Sequence, residues 1–576
     1  MNRWLILFLL LLTGLRLYVG GQSELSPDEA YYFQWAQRLD WAYYSKGPGV
    51  AAVIRAGTEL FGATERGIRF FSPLFALGTC LVLYGLARRL YSESVATWVV
   101  LLLSLTPIFQ VGSVVMTIDT ISLFFWAAAL WSFWLALERH PRWNWYWPLT
   151  GALIGLGFLA KYTNAMQLLS IVLILALTPR FCRELYRPGF LSLLGVFLLA
   201  LIPPLVWNAK HAWITLHHLS ERGSLDTGFS INPGEWFVFL GIQFGVYSPL
   251  VYGAMLAALY WGCRDARFHF KPRFLVLFAL PLLILYYGLS IKKAGQANWT
   301  GPSFLSLGIL TVALWHTLAE RKVWARRYVA VGLSLALLTS LVVLNVDAIR
   351  AVGFPLSYTK DPGARLRGWK TVAIAVEKER RRLEAETGKP IFLIGNKYQT
   401  AATVGFYLPG RVDGPGYPPV FIAESQAIEN QFSFWPRYDE MLRPVDFAKR
   451  MILLGKGDPE RLEGVEELSA AVAKVENAPP GADPEQVKTA HRELVRTMLK
   501  IDPTIPLEEN WSSEHGVGAY FGHDALYISD GNDPPTALEN GFASIECVAS
   551  WQEYRRGLPL RTIHLFLCRN YQGLSL

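Results

Sequence analysis

Two places in the chain set acidic side chains where an apolar segment ends or begins. Asp28 and Glu29 follow Ser26-Pro27 just beyond the first hydrophobic stretch, and Asp119 stands in Met116-Thr117-Ile118-Asp119-Thr120 at the outer end of a later one. An ionisable group held near a bilayer is costly, and by default it is a functional candidate. Lys46, Lys161, Arg222, Lys292 and Lys293 are predicted at the same face, with His211 in Trp207-Asn-Ala-Lys-His-Ala-Trp213. Carboxylates so placed serve as general bases or as ligands of a divalent ion, and gathered cations anchor an anionic group. Plainer readings stand beside these. Ser-Pro-Asp-Glu is an ordinary helix start, Asp119 suits a cap, a lone lysine snorkels to the interface, and a histidine between tryptophans is commonly structural.

Motifs of other chemistries are missing. The chain has no Walker A loop, no H-E-x-x-H, no G-x-S-x-G and no Asp-x-Asp. That removes support for a nucleotide-driven motor, a zincin, a serine hydrolase and a transferase of metal-held nucleotide sugars. Gly151-Ala-Leu-Ile-Gly155-Leu-Gly157 lies inside an apolar run, where glycines let helices approach, and is not a dinucleotide fingerprint.

The elements that must position the candidate residues are membrane helices. A chain of 576 residues that is 52% apolar and 17% charged, with mean hydropathy +0.26, is polytopic rather than soluble. Eleven apolar stretches of bilayer-crossing length are expected near 4 to 20, 70 to 87, 94 to 110, 118 to 137, 147 to 160, 164 to 178, 189 to 207, 236 to 261, 274 to 290, 301 to 319 and 328 to 346. Fifteen Lys and Arg fall in the alternate loops around Arg88, Arg139, Arg180, Arg264 and Arg321, against five in the short loops between. Positive-inside counting then puts those basic loops and the N-terminus in the cytoplasm, and everything after Asp347 outside. Residues 1 to 348 hold 27 Lys and Arg against 16 Asp and Glu and the rest 27 against 30, so the whole positive excess lies in the apolar part, where it orients helices, and no nucleic-acid partner is expected.

Residues 1 to 348 therefore read as a transmembrane domain, whose first external loop, 21 to 69, carries amphipathic pieces at Glu29 to Arg38 and Val50 to Phe61. From 349 to 576 the pattern is that of a soluble α/β domain. It has a charged helix at Trp369 to Thr387, short strands at Ile391 to Ile394, Ala525 to Ser529 and Thr562 to Leu567, and a charged, helix-prone insert near 439 to 517 broken at Ala478-Pro-Pro-Gly481. Five cysteines without a C-x-x-C pair give no structural zinc site. Cys547 and Cys568 are either a disulfide of an extracytoplasmic domain or two isolated thiols.

Taken together, several segments resemble the GT-C glycosyltransferases of the protein-O-mannosyltransferase and aminoarabinose (ArnT-like) transferase superfamily, nearest to its lipopolysaccharide-core galacturonosyltransferase-like branch. Ser26-Pro-Asp-Glu-Ala-Tyr-Tyr-Phe-Gln-Trp35 with Tyr43-Tyr-Ser-Lys-Gly-Pro48 looks like that family's first external loop. Thr117-Ile-Asp119 is similar to its second acidic motif, and Gly157-Phe-Leu-Ala-Lys161-Tyr-Thr163 to its lysine-tyrosine turn. Trp207-Asn-Ala-Lys-His-Ala-Trp213 with Arg222-Gly223 carries the likeness furthest, and Asn430-Gln-Phe-Ser-Phe-Trp435 and Ala525-Leu-Tyr-Ile-Ser-Asp530 resemble parts of a C-terminal periplasmic domain. Ser45-Lys46-Gly47-Pro48 departs from relatives that place histidine or lysine directly before two prolines.

The resemblance implies a polytopic α-helical membrane fold with a C-terminal α/β periplasmic domain, seated in the inner membrane. It also implies inverting transfer of a monosaccharide from a polyprenyl phosphate to a glycan, lipid or protein acceptor on the outer face. A polyprenyl phosphate leaves as an anion, so such an enzyme needs cations at the phosphate and a base at the acceptor rather than an acid at the leaving group. On this reading Lys161, Arg222 and Lys292 or Lys293 hold the phosphate, helped by Lys46 and His211, and Asp28 is the base. Glu29 and Asp119 orient the reacting groups, and a divalent ion at Asp28 and Asp119 is one of the family's two modes. Membrane lipids are the remaining partner. Two other classes share the many spans: a transporter of lipid-linked saccharides, which needs no base, and a non-catalytic envelope assembly protein presenting its external domain. Internal repeats and midplane charges, the usual marks of transporters, are not evident.

Overall fold

The computed structural model describes residues 2–573 apart from 223–230, 355, 359–360, 424, 426, 440, 443, 456–463, 478, 480–483, 502–516, 519 and 532–537. Gly223 and most of the expected break at Ala478-Pro-Pro-Gly481 lie outside the described residues. The chain divides into two compact units, Met1–Ser23 with Leu39–Phe354 and Glu24–Arg38 with Pro355–Leu576.

The first unit is helical. Among the described residues seven helices are long and apolar enough to cross a bilayer: Arg3–Gly20, Glu65–Leu90, Ile118–Glu138, Pro188–Lys210, Phe270–Leu289, Ser303–Arg321 and Val323–Leu344. Glu93–Leu105, Tyr146–Ala160 and Tyr162–Ala176 are apolar but shorter. The stretch expected as one span at 236 to 261 is instead two helices, Pro233–Tyr247 and Pro249–Asp265, bent by 111°. Ser248 between them takes φ 70, and Pro249 cannot donate the hydrogen bond that would continue the first helix. The expected span 94 to 110 likewise breaks at Thr106 before Pro107.

Side chains stitch the broken region to its neighbours. Arg16, buried inside the unit, donates to Gln110 Oε1 at 3.0 Å, and the Gln110 amide donates in turn to the Ser104 carbonyl. Ser72 and Thr120 both donate to the Gly112 carbonyl, at 3.3 and 2.5 Å. Arg69, also buried, ties the end of the first helix through the carbonyls of Gly20 and Ser23, each at 2.8 Å. Gly151 and Gly155 face the helix Pro188–Leu199 and the residue after it, where a Cβ on Gly151 would lie 2.1 Å from the Leu193 carbonyl oxygen. A bulkier residue would push the two helices apart.

The second unit is built on a five-stranded sheet. Its strands and those of a small separate ribbon are β1 (Ile391–Gly395), β2 (Phe421–Ile422), β3 (Met441–Leu442), β4 (Val517–Gly518), β5 (Asp524–Ser529), β6 (Phe542–Arg555) and β7 (Leu558–Tyr571). The sheet order is β2-β1-β5-β7-β6, with β1 parallel to β2 and β5 and the rest antiparallel. β1 and β5 are buried along their length, as continuous apolar runs of central strands are. β6 and β7 form a long hairpin over Arg556 and Gly557, both at positive φ, which is the conformation a two-residue hairpin turn requires. Cys547 and Cys568 are both free thiols, the first exposed and the second buried.

The expected boundary placed all of 21 to 69 with the membrane part. The structure instead groups Glu24–Arg38 with the C-terminal unit, because the helix Pro27–Ala36 presents an aromatic face to it. Tyr31 stacks on Phe432 at 5.9 Å and meets Tyr398 at 4.5 Å, and Phe33 meets Phe406 edge-on at 5.0 Å. Backbone amides of Leu25 and Gln431 donate to the hydroxyls of Tyr407 and Tyr31, at 2.7 and 2.6 Å, and the Trp369 amide donates to Glu24 at 2.6 Å.

Within the insert, β3 and β4 pair antiparallel, Leu442 opposite Val517, at the base of three helices: Pro444–Gly455, Val465–Glu476 and Pro484–Ile501. These enclose their own small core of Ala448, Ile452, Leu468, Val472, Leu494 and Met498. The sheet has a separate aromatic core in which Phe392 meets Tyr520 at 4.6 Å and Tyr438 at 5.3 Å. Replacing residues 443–516 by Asn-Gly, a two-residue hairpin turn, should therefore leave a monodisperse protein on size exclusion, at the loss, among the described residues, of the packing that Tyr417 and Tyr520 share with the insert. Phe392→Ala should cost the C-terminal unit about 3–5 kcal/mol, read by thermal unfolding.

Candidate functional site

The helix Ile118–Glu138 begins with Thr117 as its cap, the hydroxyl accepting from the Asp119 amide at 3.2 Å. This places Asp119 in the first turn with both carboxylate oxygens engaged. Lys161 Nζ donates to Oδ1 at 2.7 Å and Asn298 Nδ2 to Oδ2 at 2.7 Å. The ion pair is buried, its side chains 9% and 17% exposed. Lys161 closes the helix Tyr146–Ala160, and three residues on Asn164 donates to Ser122 at 2.5 Å. Residues 119 and 122 lie one turn apart on one helix face, so the Lys161 to Asn164 turn is docked on that helix at two points.

Lys46 lies on a tight turn in which Tyr43 and Lys46 exchange backbone hydrogen bonds, at 2.9 and 3.4 Å. The next residue, Gly47, passes so close to the end of the helix Tyr146–Ala160 that a Cβ would lie 2.2 Å from the Leu159 carbonyl oxygen. Glycine is thus needed at 47 to seat the Lys46 turn two residues from Lys161.

The Trp207-Asn-Ala-Lys-His-Ala-Trp213 segment turns the chain between the helices Ile202–Lys210 and Ile214–Arg222, with Ala212 and Trp213 both in the left-handed region, at φ 51 and 57. Non-glycine residues rarely adopt that conformation, and here side chains hold it. Trp207 Nε1 donates to Asp40 at 2.8 Å, Asn208 accepts from the Thr215 amide at 3.2 Å, and the Thr215 hydroxyl reaches the Tyr43 carbonyl at 3.4 Å. The second helix is thereby fixed against the Lys46 turn. It carries His218, whose ring lies 4.7 Å from that of Tyr44, and Arg222, whose guanidinium lies 5.9 Å from the Trp299 ring centre. Burial first, then the positive charges of Lys46 and Arg222, push the His218 imidazole down to about 4. A neutral histidine between two cations is an acceptor and donor site that an arriving anion would convert to a third cation.

Of the residues expected from sequence, Asp119, Lys161, Lys46 and Arg222 are drawn together in the membrane unit. Trp299 packs on Tyr286 at 5.1 Å and follows Asn298 directly, linking Arg222 to the ion pair. Lys292 and Lys293 lie on the turn after Phe270–Leu289, half-buried and exposed respectively. His211 stacks on Trp207 at 3.9 Å, with Nδ1 2.7 Å from the Trp207 carbonyl oxygen, a structural placement. Glu29 is fully buried and closes a capping box with Ser26: its carboxylate accepts from the Ser26 amide at 2.9 Å and its amide donates to the Ser26 hydroxyl at 3.3 Å. Asp28, in the other unit, is half-buried, with no hydrogen-bond or ion-pair partner among the described residues.

At Asp119 the donor set does not suit a divalent ion. Both oxygens of Asp119 are taken by nitrogen donors, and among the described residues no three His, Cys, Asp or Glu side chains cluster as ligands. Asn298 and His218 were not singled out in the sequence. His218 had a signal, since it lies four residues before Arg222 on one helix face. Asn298 had none beyond its place in a polar turn between apolar stretches.

A family model described as dolichyl-phosphate-mannose-protein mannosyltransferase matches residues 45–207. The chain is 31% identical over 293 residues to the lipid A galacturonosyltransferase RgtD of Rhizobium johnstonii, covering 51% of this chain and 61% of the relative. It is 26% identical over 316 residues to an undecaprenyl phosphate-alpha-4-amino-4-deoxy-L-arabinose arabinosyl transferase of Pseudomonas aeruginosa, covering 51% of this chain and 56% of that one. The chain thus spans little more than half the length of these relatives. Among solved structures it is similar to ArnT from Cupriavidus metallidurans in the apo state, with a TM-score of 0.56 at 16% identity over 98% of this chain and 97% of that one. The likeness shows a shared fold: a polytopic helical membrane unit with a C-terminal sheet domain, as the resemblance drawn from sequence implied.

Removing one partner of a buried ion pair leaves the other charged and uncompensated. Lys161→Met should therefore destabilise the membrane unit by about 3–5 kcal/mol, and adding Asp119→Leu should recover most of the loss. Thermal unfolding of the two variants in detergent reads both effects.

Proposed function

We propose that this chain is an inner-membrane glycosyltransferase that moves a monosaccharide from a polyprenyl-phosphate donor to an envelope acceptor on the extracytoplasmic face. The observation that carries the reading is the convergence of Lys46, His218 and Arg222, with Arg222 joined through Trp299 and Asn298 to the Asp119–Lys161 pair. Lys46 and Arg222 stand beside an imidazole that an anion would also charge, which suits a phosphate whose negative charge grows as it leaves the sugar. The relatives support a lipid-linked sugar phosphate as that anion, since one is named for lipid A and the other for an undecaprenyl phosphate donor.

In this reading Lys46, Arg222 and His218 hold the donor phosphate, and Lys292 and Lys293 extend the positive field. Asp119 is a positioning residue: it aims Lys161, whose ammonium stabilises the phosphate charge that develops as the bond to the anomeric carbon breaks. Asp28 is the base. Its carboxylate takes the proton of the acceptor hydroxyl as that oxygen bonds the anomeric carbon, and the polyprenyl phosphate departs as an anion, so no acid is needed at the leaving group. Glu29 keeps Asp28 in place through the capping box. The acceptor is a lipid, glycan or protein of the envelope, lipid A foremost.

The test is transfer of labelled sugar from a polyprenyl phosphate in proteoliposomes of the purified chain. Asp28→Asn should lower transfer by about 10²–10⁴-fold with donor binding retained. Movement of donor across the bilayer without any product would turn the reading to a transporter. A pH signature follows from His218. Phosphate neutralises Lys46 and Arg222 and so raises the imidazole from about 4 toward its ordinary 6.5. The bound state then holds a proton that the free state lacks, so donor affinity should rise as pH falls from 7 toward 5, by at most about tenfold per pH unit. His218→Gln should flatten that slope in a donor-binding titration.

A further inference from the structure

At the far end of the helix that carries Asp119 lies a second cavity, apart from the cluster described above. Trp134, on its wall, is fifteen residues beyond Asp119 on the helix Ile118–Glu138, roughly 22 Å along the axis at 1.5 Å per residue. The cavity measures about 930 Å³. Its inner wall is apolar, formed by Trp134, Ala258, Gly262, Leu310, Ala313 and Leu314. Its mouth holds Arg264 and Lys271, both exposed.

Neither cation has a carboxylate partner among the described residues. The Arg264 guanidinium lies 5.2 Å from the Trp261 ring centre and 6.0 Å from that of Tyr260. Lys271 donates to the Leu90 carbonyl and stands 5.7 Å from the Tyr91 ring centre. Asp265, the one acid at the mouth, lies 3.6 Å from His269. Phe268 beside them is 81% exposed, as aromatic side chains at a membrane interface are.

We propose that this cleft binds one anionic phospholipid, its phosphate between Arg264 and Lys271 and its acyl chains along the apolar wall. A small soluble phosphate would match the cations and leave the wall uncovered. A zwitterionic lipid would cover the wall but bring its own cation to Arg264 and Lys271. Only a lipid with net negative charge satisfies both parts. The site stands independently of the transferase reading.

The experiment is native mass spectrometry of the full chain, delipidated in detergent and titrated with dioleoyl phosphatidylglycerol or dioleoyl phosphatidylcholine. The parent should retain one phosphatidylglycerol with roughly tenfold or greater preference, as two cations near a lipid phosphate provide. Arg264→Gln with Lys271→Gln should abolish the preference while leaving weak retention of both lipids. Ala313→Trp, which fills the wall, should lower retention of both. Equal retention of the two lipids by the parent, or a preference that survives the double substitution, overturns the proposal. So does displacement of phosphatidylglycerol by equimolar sn-glycerol 3-phosphate, which would mark a free-phosphate site. Monodisperse elution of each variant on size exclusion separates loss of the site from loss of the fold.

Discussion

A single buried ion pair sets the terms for the membrane unit. Asp119 and Lys161 sit where neither charge is well hydrated, so each is tolerable only with the other in place and with the remaining lone pairs satisfied. Asn298 supplies that satisfaction from a third segment, and the Asn164 to Ser122 bond keeps the Lys161 turn from sliding along its helix. Three pieces of chain far apart in sequence are therefore bound to one geometry. Their rigidity is a by-product of solvation: any shift large enough to relax one of them strands a charge in a poor solvent.

Around this anchor the fold assembles like charges, which it does at a cost. His218 gives the measure of it, an imidazole kept neutral by burial and by the cations on either side. Backbone features help to meet the cost: the glycine that lets the Lys46 turn lie against Leu159, and the left-handed pair Ala212 and Trp213 braced by Trp207, Asn208 and Thr215. Asp119 is engaged by two nitrogens, one on each oxygen, and in the proposed transfer that leaves it the part of aiming the Lys161 ammonium.

Hydropathy shows the seven long apolar helices because lipid demands long apolar runs, while others of the eleven expected stretches are shorter or broken helices, and the charged helix Trp369–Thr387 coincides with its expected limits. What hydropathy does not register is backbone direction. The run 236 to 261 stays apolar through Ser248-Pro249, yet the chain turns there. β6 was missed because its half-exposed residues mix charged with small side chains, and Arg-Gly is a weaker hairpin signal than Asn-Gly. In the site, residues announced by motif (Asp119, Lys161, Lys46, Arg222) are found together in one unit. Glu29 and His211 read equally well as cap and packing group, and those are the contacts they make. The bond from Asn298 to Asp119 spans segments whose proximity no local pattern records.

The grouping of Glu24–Arg38 with the C-terminal unit bears on biosynthesis. The polypeptide leaves the membrane unit after Ser23, returns at Leu39, and leaves again after Phe354. The aromatic face of Tyr31 and Phe33 has no platform until Tyr398, Phe406 and Phe432 have been synthesised. At roughly 5–20 residues per second that interval lasts on the order of twenty seconds to over a minute. Through it, the aromatic face of Pro27–Ala36 is without the rings it packs on in the finished fold.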